Sequence, residues 1–219
     1  MKFGKRTVEI LKNFATINPS LLFVPGKVLK TISPTKNIIA KATLSDEFEN
    51  RFAIYELPKF LSALSLFDDP ELEIGKEQLT MSKNGRKLKY TFASEEHIIL
   101  PPTKDVRFPD PEVTFEFKAE MLNELQRALG VLNLPDISVV GDGDSVILKA
   151  VDLKNPTTDS YNIVVSDTDK TFKFNLKAEN LKLLPGDYIV KMSSQKIAFF
   201  EGTDIEYFVA LDPSSEYDG

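Results

Sequence analysis

Apolar residues recur along this chain in two rhythms, a helical period in four stretches and a two-residue alternation through most of the rest. Over residues 7–17, Ile10, Leu11, Phe14 and Ile17 form one helical stripe, with Lys5, Glu9 and Lys12 opposite and Arg6 and Asn13 beside them. A second helix opens at Pro58, a residue suited to the first helical position, and turns Phe60, Leu61 and Leu64 inward with Lys59, Ser62 and Ser65 outside. A third spans residues 119–132. Met121, Leu122, Leu125, Ala128, Leu129 and Leu132 make its core face, Gly130 stands near its expected stop, and Glu120, Asn123, Glu124 and Arg127 point away. A fourth and shortest is expected after Leu176, with Leu181 and Leu184 inward and Lys177, Asn180 and Lys182 exposed. Strands are expected at 21–24, 28–32, 38–44, 137–140, 146–150, 161–166 and 188–192, where β-branched and aromatic residues run between turn formers.

The order of these elements repeats. Phe52 to Leu61 reads as a strand entering a short apolar helix, and so does Phe172 to Leu181 about 120 residues later. A turn follows each, Asp68-Asp69-Pro70 and Pro185-Gly186-Asp187, and three short strands follow each turn. Between the copies lies a segment with Pro101, Pro102, Pro109 and Pro111, a density that neither a helix nor a ladder sustains. The pattern predicts an α+β chain of two repeated domains, 1–94 and 114–219, joined by an extended connector over 95–113. The connector carries Ile98-Ile99-Leu100, an apolar tract a plain linker would lack. It either packs on the domain surface or helps form a docking groove.

Composition removes whole classes of chemistry. The chain has 219 residues, no Cys and a single His, His97, which excludes disulfides, thiolate zinc sites, cysteine nucleophiles and multi-histidine metal centres within one chain. Its 10 Gly are not spaced as a phosphate-binding loop, and no apolar run reaches the length of a membrane span. Gly141-Asp142-Gly143-Asp144 lacks the remaining ligand positions of a calcium loop and reads as a hairpin turn. No metal and no cofactor are expected. The formal net charge is −6, which counts against nucleic-acid binding only if the charges are evenly spread. The outward faces of the four expected helices each carry cations, although Glu120 and Glu124 dilute the third.

Three stretches carry a family resemblance. Leu11-Lys12-Asn13-Phe14-Ala15-Thr16-Ile17-Asn18, the segment from Leu176 to Asp187, and Phe208-Val209-Ala210-Leu211 resemble the first helix, the last helix and turn, and the final strand of the DNA polymerase sliding clamps of T-even-type bacteriophages. The resemblance implies a homotrimeric ring, with helices on the inner face of β-sheets and double-stranded DNA threaded through the hole. It implies a processivity factor, not an enzyme, working in the cytoplasm of the infected bacterial host and away from membranes. Its partners would be the replicative DNA polymerase, the clamp loader and late-transcription factors.

By the same resemblance, Lys5, Arg6, Lys12, Lys59, Arg127, Lys177 and Lys182 would face DNA. Lys87, Leu88, Tyr90 and Phe92 of one chain would pair with Tyr161, Ile163 and Val165 of the next. A partner peptide would dock on Ile98, Ile99, Leu100, Pro101, Phe208, Ala210 and Leu211. A different class stays open beside this one: a duplicated β-rich scaffold that binds only proteins, its helix cations merely solubilising. An enzyme would have to be built from Asp68, Asp69, Asp142 and Asp144, and no pair of them has an acid–base or metal spacing.

Overall fold

The computed structural model describes residues 1–218, which form two compact units, 1–104 and the described residues from 105 onward. In the first unit the order is α1 (Lys5–Ile17), β1 (Leu21–Phe23), β2 (Gly26–Ile32), β3 (Ile38–Phe48), β4 (Phe52–Ile54), α2 (Leu57–Leu64), β5 (Glu71–Ile74), β6 (Gln78–Lys83) and β7 (Arg86–Thr91). In the second it is β8 (Val113–Phe117), α3 (Ala119–Leu132), β9 (Asp136–Asp142), β10 (Ser145–Val151), β11 (Tyr161–Asp167), β12 (Thr171–Lys177), β13 (Tyr188–Ser193), β14 (Ile197–Glu201), β15 (Ile205–Ala210) and β16 (Glu216–Tyr217).

The expected repeat is real at the level of strand pairing. β1 pairs with β4 in the first unit as β9 pairs with β12 in the second. The hairpin β2–β3 answers to β10–β11, and the meander β5–β6–β7 answers to β13–β14–β15. Even the margins correspond. β8 pairs with β13, and the main chain of Met1 exchanges both its hydrogen bonds with Leu72 of β5, at 2.8 and 2.7 Å. β16 closes the outer edge of β12, and Ala93 bridges Ala53 of β4 in the same way.

Alternation places the cores. Along β10 every second residue is buried, and Val146, Leu148 and Ala150 point under α3 while Ser145, Ile147 and Lys149 point away. α1 lays Ile10, Leu11, Phe14 and Ile17, all at most 2% exposed, against β2 and β3. Beneath them Phe23 stacks on Phe52 at 4.5 Å, and Phe52 stacks on Phe92 at 4.6 Å. The β9–β10 turn behaves as expected of a hairpin. Asp142 Oδ1 accepts from the amides of Asp144 and Ser145, at 3.0 and 2.8 Å, and Gly143 takes φ +93. Gly141 is required for a different reason: a Cβ there would lie 2.3 Å from the Phe172 ring.

The fourth helix does not form. β12 continues to Lys177, a single 3-10 turn covers Ala178–Asn180, and the chain then runs without regular structure to β13. Leu181 and Leu183 are the buried leucines there, Leu184 is only half-buried, and Asn180 is inside instead of outside. Pro185-Gly186 leaves too few residues to repay helix nucleation. Two smaller expectations also change. Asn13 of α1 is buried, and α3 runs through Gly130 to end on Asn133, which adopts the left-handed conformation at φ 52.

Candidate nucleic-acid and assembly surfaces

On α1, packing of the apolar stripe leaves Lys5, Arg6, Glu9, Lys12 and Thr16 in solvent. Arg6 lies 3.3 Å from Glu9 one turn on, an exposed pair that holds little energy. On α2, Phe60 and Leu64 anchor the helix, and Pro58, Lys59, Ser62 and Ser65 face out. Lys59 reaches Glu56 at 3.4 Å. The helical surface of the first unit therefore presents cations on long flexible stems, with short hydroxyls between them.

The second unit is different. α3 exposes Glu120, Asn123, Glu124, Gln126 and Arg127, so Arg127 stands among carboxylates. The Tyr161 hydroxyl donates to Glu124, and that hydrogen bond holds the phenol above its ordinary pKa. Lys177 is not on a helix at all. Its ammonium lies 2.5 Å from Asp136, a carboxylate only 1% exposed that also accepts the Leu153 amide at 3.0 Å. The bond to Asp136 raises the Lys177 pKa. Moving Lys177 toward a phosphate would strand a buried carboxylate, so it serves the fold. Lys182 lies half-buried beyond the 3-10 turn.

The strands named for assembly occupy sheet margins within their own units. β7 pairs only with β6 and β11 only with β10 among the described strands, which leaves one side of each unpaired. The Phe92 amide donates to the Glu77 carbonyl directly opposite, at 2.9 Å. Antiparallel pairs alternate, so Tyr90 and Leu88 also bond inward to β6 while the amides of Thr91, Lys89 and Lys87 point out of the sheet. Tyr90 packs edge-on against Phe60 at 5.2 Å, and Leu88 is half-buried. On β11, Tyr161, Ile163 and Val165 are half-buried and Val164 is 63% exposed. Beside β11 lies an open groove lined by Glu124, Arg127, Val131 and Tyr161, and Val131 on its wall is 81% exposed. Sequence reasoning did not single out Val131 or Val164. Their signal was an apolar residue on an otherwise polar helix face and strand face.

The residues named for peptide docking divide between the units. In the first, Ile99 and Leu100 are 41% and 44% exposed, Ile98 and Pro101 are half-buried, and the Ile99 carbonyl accepts from Asn18 at 3.4 Å. In the second, Phe208 stacks on Phe199 at 4.6 Å and Phe108 lies tilted against Phe199 at 5.7 Å. Phe208 and Leu211 are buried there and Ala210 is half-buried.

A duplicated α+β unit with a basic helical face in its first half is the architecture of a DNA polymerase processivity factor, and comparison with known proteins identifies that class. Residues 2–100 match the family model described as DNA polymerase processivity factor, and residues 114–213 match the model described as gp45 sliding clamp, C terminal. The chain is 35% identical over 220 residues to the sliding clamp of Vibrio phage KVP40, covering 97% of this chain and 99% of that protein. It is 32% identical over 227 residues to the sliding clamp of Enterobacteria phage T4, covering all of both. A solved structure, that of A. fulgidus PCNA bound to the C-terminal region of FEN-1, superposes with a TM-score of 0.68 over 99% of this chain and 100% of that one, at 11% identity. The chain belongs to the bacteriophage sliding-clamp family of DNA polymerase processivity factors. No helix among the described residues is long and apolar enough to cross a membrane.

Proposed function

We propose that three copies of this chain close into a ring around duplex DNA and tether the replicative polymerase of a phage in its bacterial host's cytoplasm. One observation carries the reading: a chain of net charge −6 keeps Lys5, Arg6 and Lys12 together on the solvent face of α1. Exposed cations without a shaped pocket suit phosphates met in many registers, which is what sliding requires. Lys59 belongs to the same set, and Arg127 and Lys182 contribute at lower charge density. The two repeats, 1–94 and 114–219, would each supply part of the ring wall, with 95–113 as connector. Loaded onto nicked circular DNA, the protein should stay bound through gel filtration, and linearising the DNA should release it. Equal retention on both forms would refute encirclement and favour a scaffold that binds proteins alone.

Assembly would proceed by edge pairing, with Lys87, Leu88, Tyr90 and Phe92 of one chain alongside Tyr161, Ile163 and Val165 of the next. Partner proteins, the polymerase and the clamp loader first and late-transcription factors after them, would dock through short apolar peptides, much as the C-terminal region of FEN-1 binds A. fulgidus PCNA. We assign that role to Ile98, Ile99, Leu100 and Pro101 of the connector and to Phe208, Ala210 and Leu211 of the last strand. Phe208 holds up Phe199, so the clean test leaves it alone. Changing the exposed Ile99 and Leu100 to Ser should weaken a polymerase C-terminal peptide about tenfold or more in calorimetry, since each loses roughly 1 kcal/mol of apolar burial. Unchanged affinity would move the site elsewhere.

A further inference from the structure

Two large aromatic rings lie on the outward face of a sheet in the second unit. Along β14 and β15, Ala198, Phe200, Tyr207 and Val209 turn into the core, so alternation puts Phe199 and Phe208 on the opposite face. They are direct neighbours across the ladder and stack on each other, yet each is only 8% exposed. Part of the cover comes from the connector, whose Phe108 lies tilted against Phe199 with ring centroids 5.7 Å apart. The Lys191 ammonium, held 2.8 Å from Glu201, sits 5.5 Å from the centre of the same ring. Phe108 is the loosest member of this cluster. It is half-buried, and the described residues 98–112 around it contain neither helix nor strand. Pro109 follows it, which keeps Phe108 in extended backbone and offers no amide of its own. The ring can leave Phe199 by turning about its side-chain torsions, with no ladder or helix to unmake.

We propose that Phe108 is a resident plug: it holds, from within the chain, the place on Phe199 that an aromatic side chain of a docking peptide takes, and such a peptide enters by displacing it. The inference rests on the peptide-docking reading above and deepens it by naming what regulates that site. Exchanging one ring for another suits a gate of this kind, because the incoming aromatic restores the contact that Phe108 gives up. While no partner is bound, the plug keeps an apolar patch from being offered to unrelated proteins. A peptide without an aromatic ring leaves the plug in place and binds only through the rest of the groove. An aromatic peptide binds the open form alone, so its apparent affinity falls by the fraction of the time the plug is out. One aromatic pair favours the closed form about twofold to tenfold, which sets the size of the effect.

The test removes the plug in the full chain by Phe108→Ala, with circular dichroism to show that the variant folds. In calorimetry a synthetic polymerase C-terminal peptide, free of Trp, should bind this variant about twofold to tenfold more tightly than the unmodified chain. The same peptide with its aromatic residues changed to Ala should bind both forms alike. The chain has no Trp, so Phe108→Trp supplies a single fluorescent reporter. Without peptide, its emission should be that of a shielded indole and should resist quenching by acrylamide. Saturating peptide should shift the emission to the red and open it to the quencher. Weaker binding by Phe108→Ala would make Phe108 a wall of the site, and equal binding would make it a bystander. Either result, or an indole at position 108 that is fully exposed before peptide is added or unmoved afterwards, would overturn the proposal while leaving the docking reading intact. A peptide that binds no form of the protein would defeat the docking reading itself, and this inference with it.

Discussion

Proline at position 89 should convert the assembled protein into folded monomers. The amide of Lys89 points out of the meander, so removing it takes nothing from the β6–β7 ladder. It does remove a donor, and adds a ring, at the margin where a second subunit would bind. The residue next door gives the opposite expectation. Tyr90 bonds inward to β6 and rests on Phe60, so Tyr90→Pro should damage the first unit itself and lower its melting temperature, at a cost of roughly 3 kcal/mol. Analytical ultracentrifugation beside thermal melts separates the two. Lys89→Pro that remains trimeric with an unchanged melt would show that β7 is not an assembly edge.

Reversing Lys12 and Lys59 to Glu should abolish processive synthesis while leaving fold and trimer intact. Both side chains leave the protein surface directly, Lys12 from α1 and Lys59 from the first turn of α2, and neither stem supports the core. Each reversal exchanges attraction to phosphate for repulsion, and threefold repetition would multiply the change around the ring. Because the attraction consists of displaced counterions, the loss should be steepest at low salt. Lys177→Glu is the instructive contrast. It would set a second carboxylate beside the buried Asp136 and should unfold the second unit before its effect on DNA could be read. Full processivity in the Lys12/Lys59 variant would remove the helix faces of the first unit from the inner wall.

Much of this architecture was legible in the sequence because its amphipathic signals are long. The buried stripe of α1, the core face of α3 and the alternation of β3 and β10 each extend over seven or more residues, enough to fix period and face. The fourth helix was misread where the signal is short. Leu181 and Leu184 have helical spacing, yet in one turn that spacing cannot be told from a loop that buries Leu181 and Leu183. Lys177 was misplaced for a different reason, as its position is set by Asp136, a residue distant in sequence. Asn13 shows the limit of assigning polar residues outward, for its position on the helix places it inside. Which strands lack a neighbour is a property of the finished sheet, and alternation alone does not reveal it.

The outward amides of β7 have a kinetic consequence. In a lone subunit Lys87, Lys89 and Thr91 have no strand to bond to on that side, whereas Leu88, Tyr90 and Phe92 are tied into the meander. One strand thus carries two interleaved sets of exchangeable protons. In deuterated buffer the inner set would report opening of the subunit, and the outer set would report how often the ring comes apart. If three copies close through this edge as proposed, the lifetime of the closed clamp would be written into every second peptide group of a single strand.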